Sequence, residues 1–344
     1  MKIAMIGGAG FVGSHLTRAY LNAGHDVFVI DSLIHGAREA LDKRARFYHL
    51  DIRDSKLQSV LQAERPDIVS HHAVQREQSL PSEGSLVDAD VHIRGLLNVL
   101  EGCVHAQVKK LIFASGGNSL YRRTTLQGAG APGPIAENVE PYPLYPQDIT
   151  KLAGEWYVRY YEQQYRLPYL ILRYADIYGE ADAARARHPL TMFLSQLVRQ
   201  RRPTIRGTDR DVRDHIFIDD VVRANLSALE RGRNETLHVS SAQGYNLRQF
   251  YHAAARLLQS ELAPLYISPS QAEPTAIILD NRRASQILKW QPEIDFLRGV
   301  SLAVERLCGK QIEPRLVEMP VHTEPLNVAM LPQSASLFQS AALA

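Results

Sequence analysis

Through the first half of the chain, short apolar segments alternate with longer stretches that have helical periodicity. The apolar segments have the length and composition of buried strands: "KIAMI", "DVFVI", "RFYHL", "DIVSH", "KLIFAS" and "YLILRY". Between them, stretches such as "FVGSHLTRAYLNAG" and "LLNVLEGCVHAQ" repeat apolar residues at the spacing of an amphipathic helix. Strands that alternate with helices form a parallel sheet covered on both faces. The sequence therefore predicts an α/β protein with a doubly wound parallel sheet.

A glycine-rich loop follows the first strand. In "GGAGFVG", Gly7, Gly10 and Gly13 are spaced three residues apart, and a helix begins there. Such glycines permit a tight turn and the close approach of a pyrophosphate to the helix N-terminus, where N–H groups and the dipole favour negative charge. The second strand ends at Asp31, where an acidic residue accepts hydrogen bonds from an adenine ribose. The combination favours a Rossmann-type dinucleotide site, and a carboxylate at Asp31 favours NAD over NADP.

The composition argues against several other classes of protein. The chain has 344 residues, of which 45% are hydrophobic and 22% charged, as in ordinary globular proteins. Its apolar runs are far shorter than the ~20 residues of a membrane span, and glycines interrupt the N-terminal segment before a signal-peptide core could form. With Cys103 and Cys308 as its two cysteines, a cytoplasmic location is predicted. The net charge of +2 predicts no nucleic-acid partner, "RQRRP" at 199–203 is expected to be a solvated helix end, and no metal site is predicted.

Further motifs follow in order along the chain: "LDIRD", "PDIVSHHAVQ", "KLIFASGGNSLY", "KLAGE", "LRYADIYG", "RDHIFIDDVV" and "LDNRRA". Together with the glycine-rich loop, they resemble the extended short-chain dehydrogenases of the NAD-dependent epimerase/dehydratase family, and most of all the UDP-glucose 4-epimerase branch. The resemblance runs from Met1 to about Arg306. It implies NAD as cofactor and a nucleotide sugar, above all a UDP-sugar, as substrate. It also implies a homodimer through helices resembling "DADVHIRGLLNVLEGCV" and "KLAGEWYVRYYEQQY".

The resemblance implies roles for individual residues. Those expected to contact the cofactor are Phe11 and Val12 in the glycine-rich loop, Ser32 beside Asp31, Asp51 and Ile52 at the adenine, His72, Ala73 and Val74 alongside the cofactor, Ala114, Ser115 and Lys151 at the nicotinamide ribose, and Tyr174 and Ile177 over the nicotinamide. Those expected to contact the sugar nucleotide are Gly117, Asp176, Arg213 and His215. For Arg213, a grip on the diphosphate is favoured over a surface pair with Asp211 or Asp214, because a forked guanidinium suits phosphate oxygens.

The regular alternation of predicted strands and helices ends at about residue 178. We predict a Rossmann-type domain at 1–177, to which 212–242 returns, and a smaller C-terminal substrate-binding lobe built from 178–211 and 243–308. Residues 309–344 have scattered prolines and no sustained period, and they are expected to form a tail.

The pattern departs from the family at the residue expected to act as the base. In the family, a Tyr phenolate removes a sugar hydroxyl proton while hydride passes to NAD+, and this Tyr lies four residues before a Lys on one helix face. Here Gln147 precedes Lys151 by four residues. An amide does not lose a proton at physiological pH, so we expect slow turnover or a substitute base. The candidates are Tyr145, Asp148 and Tyr121, each of which also has a purely structural explanation.

Three other positions depart from the family as well. Gly117 stands where a Ser or Thr is usual, so that Ser119 or Ser115 is expected to donate to the substrate instead. Ser270 stands in place of a second diphosphate-binding Arg, and His92 in place of an Asn. The Asp-Glu pair of the dehydratases does not appear in "SGGNSLY", which favours epimerase-like or simple oxidoreductase chemistry. Two hypotheses follow: an NAD-dependent nucleotide-sugar enzyme with an atypical base, or a catalytically inactive NAD-binding sensor or partner protein on the same fold.

Overall fold

The structure, a computed structural model, describes residues 1–74, 81–121, 134–179, 189–206, 211–267 and 276–309. Seven parallel strands form its main sheet: β1 (Lys2–Ile6), β2 (Asp26–Asp31), β3 (Arg46–His49), β4 (Ile68–His71), β5 (Lys110–Gly116), β6 (Tyr169–Tyr174) and β10 (Glu235–Val239). Their order is β10-β6-β5-β4-β1-β2-β3. The strand order reverses between β1 and β4, as in a doubly wound sheet. The predicted Rossmann-type α/β fold is therefore confirmed.

The helices cover this sheet and extend into the C-terminal part of the chain. They are α1 (Phe11–Asn22), α2 (Lys56–Glu64), α3 (Pro81–Ala89), α4 (Leu96–His105), α5 (Pro146–Tyr165), α6 (Pro189–Val198), α7 (Ile218–Glu230), α8 (Leu247–Leu257), α9 (Arg282–Leu288) and α10 (Phe296–Cys308). A π-helical turn at Asp90–Gly95 joins α3 to α4, and short 3₁₀ turns lie at Arg38–Ala40 and Asn118–Tyr121. No helix in these described ranges is both long and apolar enough to span a membrane. The cytoplasmic location stays a prediction.

Side chains of the inner strand β1 pack on both faces of the main sheet. Because successive residues of a strand point to opposite faces, Ile3 and Met5 of β1 join the hydrophobic cluster that includes α1 and α7, while Ala4 and Ile6 join the cluster that includes α2 and α4. All four side chains are fully buried. β1, predicted from "KIAMI", is therefore an inner strand of a sheet covered on both sides, whereas β3, predicted from "RFYHL", is a partly exposed edge strand.

Short strands outside the main sheet bring together distant parts of the chain. They are β7 (Asp176–Tyr178), β8 (Thr204–Arg206), β9 (Val212–Phe217), β11 (Gly244–Tyr245), β12 (Leu265–Ile267) and β13 (Ala276–Ile277). β9 pairs with β7, β11 and β13, and β12 pairs with β8. The division into two lobes stays a prediction, and Ser270 and residues 310–344 of the predicted tail lie outside the described residues.

The helix that contains Lys151 begins and ends at residues with clear local causes. Pro146 is its first residue, where the missing N–H costs nothing, and Tyr145 precedes it with extended φ and ψ angles of −113° and 150°. The helix ends at Tyr165, because the next residue, Arg166, has a left-handed φ of 56° that stops the helical hydrogen-bond pattern. Between these ends, α5 places residues 147, 151 and 155 on one face.

Candidate functional site

A cleft of about 560 Å³ runs along the carboxyl ends of the main-sheet strands. All residues predicted to contact the cofactor line it: Gly7, Gly10, Phe11, Val12, Gly13, Asp31, Ser32, Asp51, Ile52, His72, Ala73, Val74, Ala114, Ser115, Lys151, Tyr174 and Ile177. In open α/β sheets, ligands bind at this edge, where the strand order reverses. The individual contacts remain predictions, but the structure brings all of these residues to one site.

The three glycines of the loop differ in how closely other atoms of the protein approach them. A Cβ on Gly7, whose φ is +82°, would lie 2.6 Å from the backbone nitrogen of Ala73, and a Cβ on Gly13 would lie 2.1 Å from the carbonyl oxygen of Gly7. A Cβ on Gly10 would meet only that same oxygen, at 3.4 Å. Packing within the chain therefore requires glycine at positions 7 and 13, whereas at Gly10 it leaves room on the cleft side. That room suits a dinucleotide pyrophosphate.

The N-terminus of α1 is open toward this cleft. Its N-cap residue is Gly10, which offers no side-chain acceptor to the first-turn N–H groups. Unpartnered N–H groups and the helix dipole together favour an anion. The residues at this end of the cleft thus fit the phosphates of NAD.

Two carboxylates are held in place at the other side of the loop. Asp31 accepts hydrogen bonds from the backbone nitrogens of Ala9, at 2.9 Å, and Leu33, at 2.8 Å. Asp51 accepts two side-chain bonds from Arg53, at 2.9 and 2.7 Å, which lower the pKa of its carboxyl group. Both groups are therefore fixed as hydrogen-bond acceptors for a polar ligand such as a ribose or an adenine amine.

Arg53 is a cleft residue that the sequence analysis missed. It bonds Asp90 at 2.6 Å as well as Asp51 at 2.7 Å, so it connects this end of the cleft to the π-helical turn. Its place in "LDIRD", two residues beyond Asp51, was the available signal. His15 and Arg18 of α1 also line the cleft, and they follow Phe11 at spacings of four and seven residues, which share one helix face.

Three residues of α5 reach the opposite end of the cleft: Gln147, Asp148 and Lys151. The Lys151 ammonium donates to the carbonyl oxygen of Ala114 at 3.2 Å and lies 5.2 Å from the centre of the Phe113 ring. Lys151 also lines the cleft, where an ammonium can donate to a polar ligand. The geometry places a cation, an amide and a carboxylate side by side.

The structure separates the three candidate bases. Tyr145 is 55% exposed at the start of α5 and is not among the residues that line the cleft. Tyr121 is fully buried, and its hydroxyl bonds Arg173 at 2.5 Å and His238 at 2.9 Å; burial raises its pKa to about 12. Asp148 is buried and lines the cleft. Of the three candidates, Asp148 alone lines the cleft.

The two candidate serines are also in different situations. Ser115 donates its hydroxyl proton to Glu155 at 2.7 Å, and Glu155 is fully buried and paired with Arg173 at 2.7 Å. A serine hydroxyl has one proton, so Ser115 acts in the cleft only as an acceptor. Ser119 lines the cleft as well and remains the candidate donor. The sequence analysis missed Glu155 and Arg173, although a carboxylate one turn after Lys151 in "KLAGE" on a buried helix face calls for a cationic partner.

Gly117 packs against the protein and does not line the cleft. Its backbone nitrogen donates to the carbonyl oxygen of Tyr174 at 2.8 Å, and an added Cβ would lie 2.5 Å from the same oxygen and 2.6 Å from Leu279 Cδ1. A side chain at this position therefore requires the backbone to move. The predicted substrate contact of Gly117 is thus limited to its backbone.

The remaining predicted substrate residues lie on β7 and β9. Asp176 lines the cleft, and it pairs with Arg213 at 3.5 Å. Arg213 and His215 are outside the cleft lining, and the His215 ring packs edge-on against Phe250 at 4.8 Å. The carboxylate of Asp214, which the sequence analysis considered as a partner of Arg213, accepts hydrogen bonds from the backbone and hydroxyl of Ser241. The diphosphate role of Arg213 stays a prediction.

Buried histidines surround the Lys151 end of the cleft. Burial first, and the charge of Lys151 second, lower the pKa of both His72 and His92 to about 3. His92, on the π-helical turn, bonds the Thr150 hydroxyl at 2.9 Å, and it does not line the cleft. His92 thus contacts α5 and lies outside the cleft lining.

Comparisons of this chain with known proteins match it to epimerases or to their family. The model of the NAD dependent epimerase/dehydratase family matches residues 3–240. A putative UDP-glucose 4-epimerase of Methanocaldococcus jannaschii is 30% identical over 305 residues, covering 88% of this chain and 97% of the relative. A solved UDP-glucose 4-epimerase of Thermotoga maritima with UDP-glucose has a TM-score of 0.84 and 32% identity, covering 90% of this chain and 99% of that one. The Thermus thermophilus UDP-glucose 4-epimerase with NAD has a TM-score of 0.79 and 28% identity, with coverages of 90% and 99%.

Proposed function

The chain belongs to the NAD dependent epimerase/dehydratase family and is an NAD-dependent enzyme, and from this premise we propose that it epimerises or oxidises UDP-sugars with an atypical general base. The observation behind the proposal is that one cleft is lined both by the N-terminus of α1 and by Gln147, Asp148 and Lys151 of α5. The glycine-rich loop and the N-terminus of α1 would hold the phosphates of NAD, and Lys151 would hold its nicotinamide ribose. When bound, the cofactor would supply the hydride acceptor.

Each of the three α5 residues has a distinct role in the proposal. Asp148 accepts the proton of the sugar hydroxyl, Lys151 holds the nicotinamide ribose and supplies positive charge, and Gln147 positions the sugar through its amide. Support for Asp148 comes from its place in the cleft, since Tyr121 is buried elsewhere and Tyr145 faces solvent. Asp176 and Arg213 bind the sugar nucleotide, with Arg213 turned from Asp176 toward the diphosphate.

A panel of UDP-, dTDP- and GDP-sugars tests the proposal. We expect conversion of at least one UDP-sugar, observed as a change of sugar identity by chromatography or as absorbance at the NADH band. Asp148→Asn lowers kcat by ~10² to 10⁴. Asp26→Asn, at an exposed ion pair at the beginning of β2, serves as the control and leaves kcat unchanged. Conversion by Asp148→Asn at the wild-type rate would exclude Asp148 as the base.

The same panel tests the inactive alternative. That hypothesis requires NAD binding without conversion of any sugar at high protein concentration. Gln147→Tyr then adds information: an epimerase activity that appears only in this variant shows that the pocket accepts the sugar and lacks only the base. A loss of existing activity in the variant shows that Gln147 has a positive role and contradicts the inactive alternative.

We further propose a twofold homodimer through α5. Ile149, Trp156 and Tyr160 are 52%, 66% and 48% exposed and follow one another at spacings of seven and four residues, so they form one apolar stripe on this helix. Light scattering after size exclusion tests this: we expect a dimer for the wild type and for Leu265→Asp, and a monomer for Trp156→Asp. A wild-type monomer at micromolar concentration contradicts the proposal.

A further inference from the structure

A buried row of polar side chains leads from the cleft into α7. The Ser70 hydroxyl lies 3.3 Å from His72 Nδ1, His72 Nε2 lies 3.1 Å from the Tyr174 hydroxyl, and that hydroxyl lies 3.1 Å from Asn225 Oδ1. Ser70 and Asn225 are fully buried, and His72 and Tyr174 are 9% and 8% exposed. Of these four residues, His72 and Tyr174 line the cleft and the other two do not. The row thus joins two cleft residues to a side chain that no ligand in the cleft contacts.

The donor and the acceptor of each hydrogen bond in the row can be assigned by starting from Asn225, its last residue. Asn225 Nδ2 donates to the carbonyl oxygen of Val221 at 2.8 Å. A carbonyl only accepts, so the amide nitrogen must face it and Oδ1 must face Tyr174. The Tyr174 hydroxyl therefore donates to Asn225, and its oxygen accepts from His72.

This assignment determines the tautomer of His72. Nε2 has the proton, and Nδ1 has the lone pair that accepts from Ser70. A second proton on Nδ1, directed at the Ser70 backbone carbonyl, would make the ring a cation. Burial, together with the charge of Lys151, opposes that cation. The other ionisable groups around the row are His71, which is itself buried and neutral, and Tyr20, whose phenol is also buried.

We propose that His72 and Asn225 are positioning residues that clamp the Tyr174 hydroxyl from two sides and thereby hold the Tyr174 ring as a fixed wall of the cofactor site. His72 is a neutral donor with both ring nitrogens in use. It therefore does not take the proton of the substrate, although it lines the same cleft as Gln147 and Lys151. The clamp concerns cofactor binding, so it holds whether or not the enzyme turns over UDP-sugars.

Binding of NAD+ to protein freed of nucleotide, measured by calorimetry, tests the clamp. His72→Leu and Tyr174→Phe each weaken NAD+ binding about tenfold, because binding must then also order the released Tyr174 ring. The double variant binds no more weakly than the weaker single variant, because both remove the same bond. His72→Gln restores the affinity to within about threefold, since its amide N–H replaces the Nε2 proton. Tyr251→Phe, which removes a hydroxyl bond to Leu262 remote from the cleft, leaves the affinity unchanged.

One spectroscopic and one kinetic measurement distinguish the proposed clamp from a role of His72 in packing alone. In ¹⁵N-histidine NMR, the His72 signal, assigned by its loss in His72→Gln, shows the Nε2–H tautomer throughout pH 5.5 to 8.5, and Tyr174→Phe converts it to the Nδ1–H tautomer. The pH dependence of turnover is the same in wild type and His72→Gln. The proposal is overturned if His72 titrates between pH 5.5 and 8.5, or if His72→Leu binds NAD+ as tightly as wild type. It is also overturned if His72→Gln binds NAD+ as weakly as His72→Leu. A pH profile of turnover with an acid limb that His72→Gln removes would overturn it as well.

Discussion

Alanine substitutions of Gly10 and Gly13 separate cofactor binding from folding within one loop. At residue 10 the φ and ψ angles of −79° and 176° suit alanine, and the added methyl group meets only the Gly7 carbonyl oxygen, at 3.4 Å. At residue 13 the methyl group would lie 2.1 Å from that oxygen and 2.8 Å from Gly8 Cα. These are backbone atoms, so the turn itself has to open. We therefore expect Gly13→Ala to destabilise the fold and Gly10→Ala to affect the ligand.

The magnitudes follow from these contacts. For Gly10→Ala, alanine at a helix N-cap costs about 0.5 to 1 kcal/mol relative to glycine, and the reduced entropy of the unfolded chain offsets about 0.4 to 1 kcal/mol. The free energy of unfolding thus changes by less than about 1 kcal/mol. A methyl group forced into the pyrophosphate contact costs about 1 to 3 kcal/mol, which is a ~10- to 100-fold loss of NAD+ affinity. For Gly13→Ala, overpacking against backbone costs about 3 kcal/mol or more, which lowers Tm by roughly 5 °C or more.

Thermal unfolding by circular dichroism without cofactor, combined with calorimetric titration of NAD+, measures both effects on the same preparations. Gly10→Ala should unfold near the wild-type Tm and bind NAD+ weakly. Gly13→Ala should unfold at a clearly lower temperature before any cofactor is added. A Gly10→Ala protein that binds NAD+ as tightly as wild type refutes the placement of the pyrophosphate at α1. A Gly10→Ala protein that unfolds as early as Gly13→Ala refutes the assignment of the free space at residue 10.

Three further predictions concern the core around the cleft. Glu155→Gln leaves the buried Arg173 without its counter-charge and lowers the free energy of unfolding by about 3 to 5 kcal/mol in urea titration. The control Asp26→Asn, at an exposed pair, changes it by less than about 1 kcal/mol; equal effects of the two substitutions contradict the buried network. Gly117→Ser, the substitution that restores the hydroxyl usual in the family, lowers Tm without raising the conversion rate, because its Cβ would lie 2.5 Å from a carbonyl oxygen at the end of β6; a faster enzyme of unchanged Tm is the opposing result. The pKa of His92 is lowered in the folded state to about 3 from an ordinary 6.5, so the unfolded state binds the proton first and the free energy of unfolding falls as pH drops from about 6.5 toward 3. In urea titrations across that range, His92→Gln reduces the dependence of this free energy on pH by about 1.4 kcal/mol per pH unit. An unchanged dependence shows that His92 is not buried as a neutral ring.

The fold and the cofactor-facing part of the cleft lining were predictable from the sequence, because both depend on the order of strands and loops along the chain. Apolar segments of strand length at regular intervals determine a parallel sheet, and the loops after parallel strands converge on one edge. The glycine-rich loop, Asp51 and the segment after β4 each follow a strand in the sequence, and Asp31 is the last residue of one. Their meeting in one cleft therefore requires only the strand order and no detail of side-chain packing.

Which side chains remain available for chemistry was decided by the tertiary structure alone. Ser115 and Ser119 looked equivalent in the sequence, yet Glu155, brought alongside from α5, takes the proton of Ser115. Tyr145 and Asp148 lie three residues apart, yet one faces solvent and the other lines the cleft. A hydrogen bond depends on the positions of two atoms to within a few tenths of an ångström. Residue patterns specify which faces are buried, but only the packed sheet and helices place distant donors and acceptors at that distance.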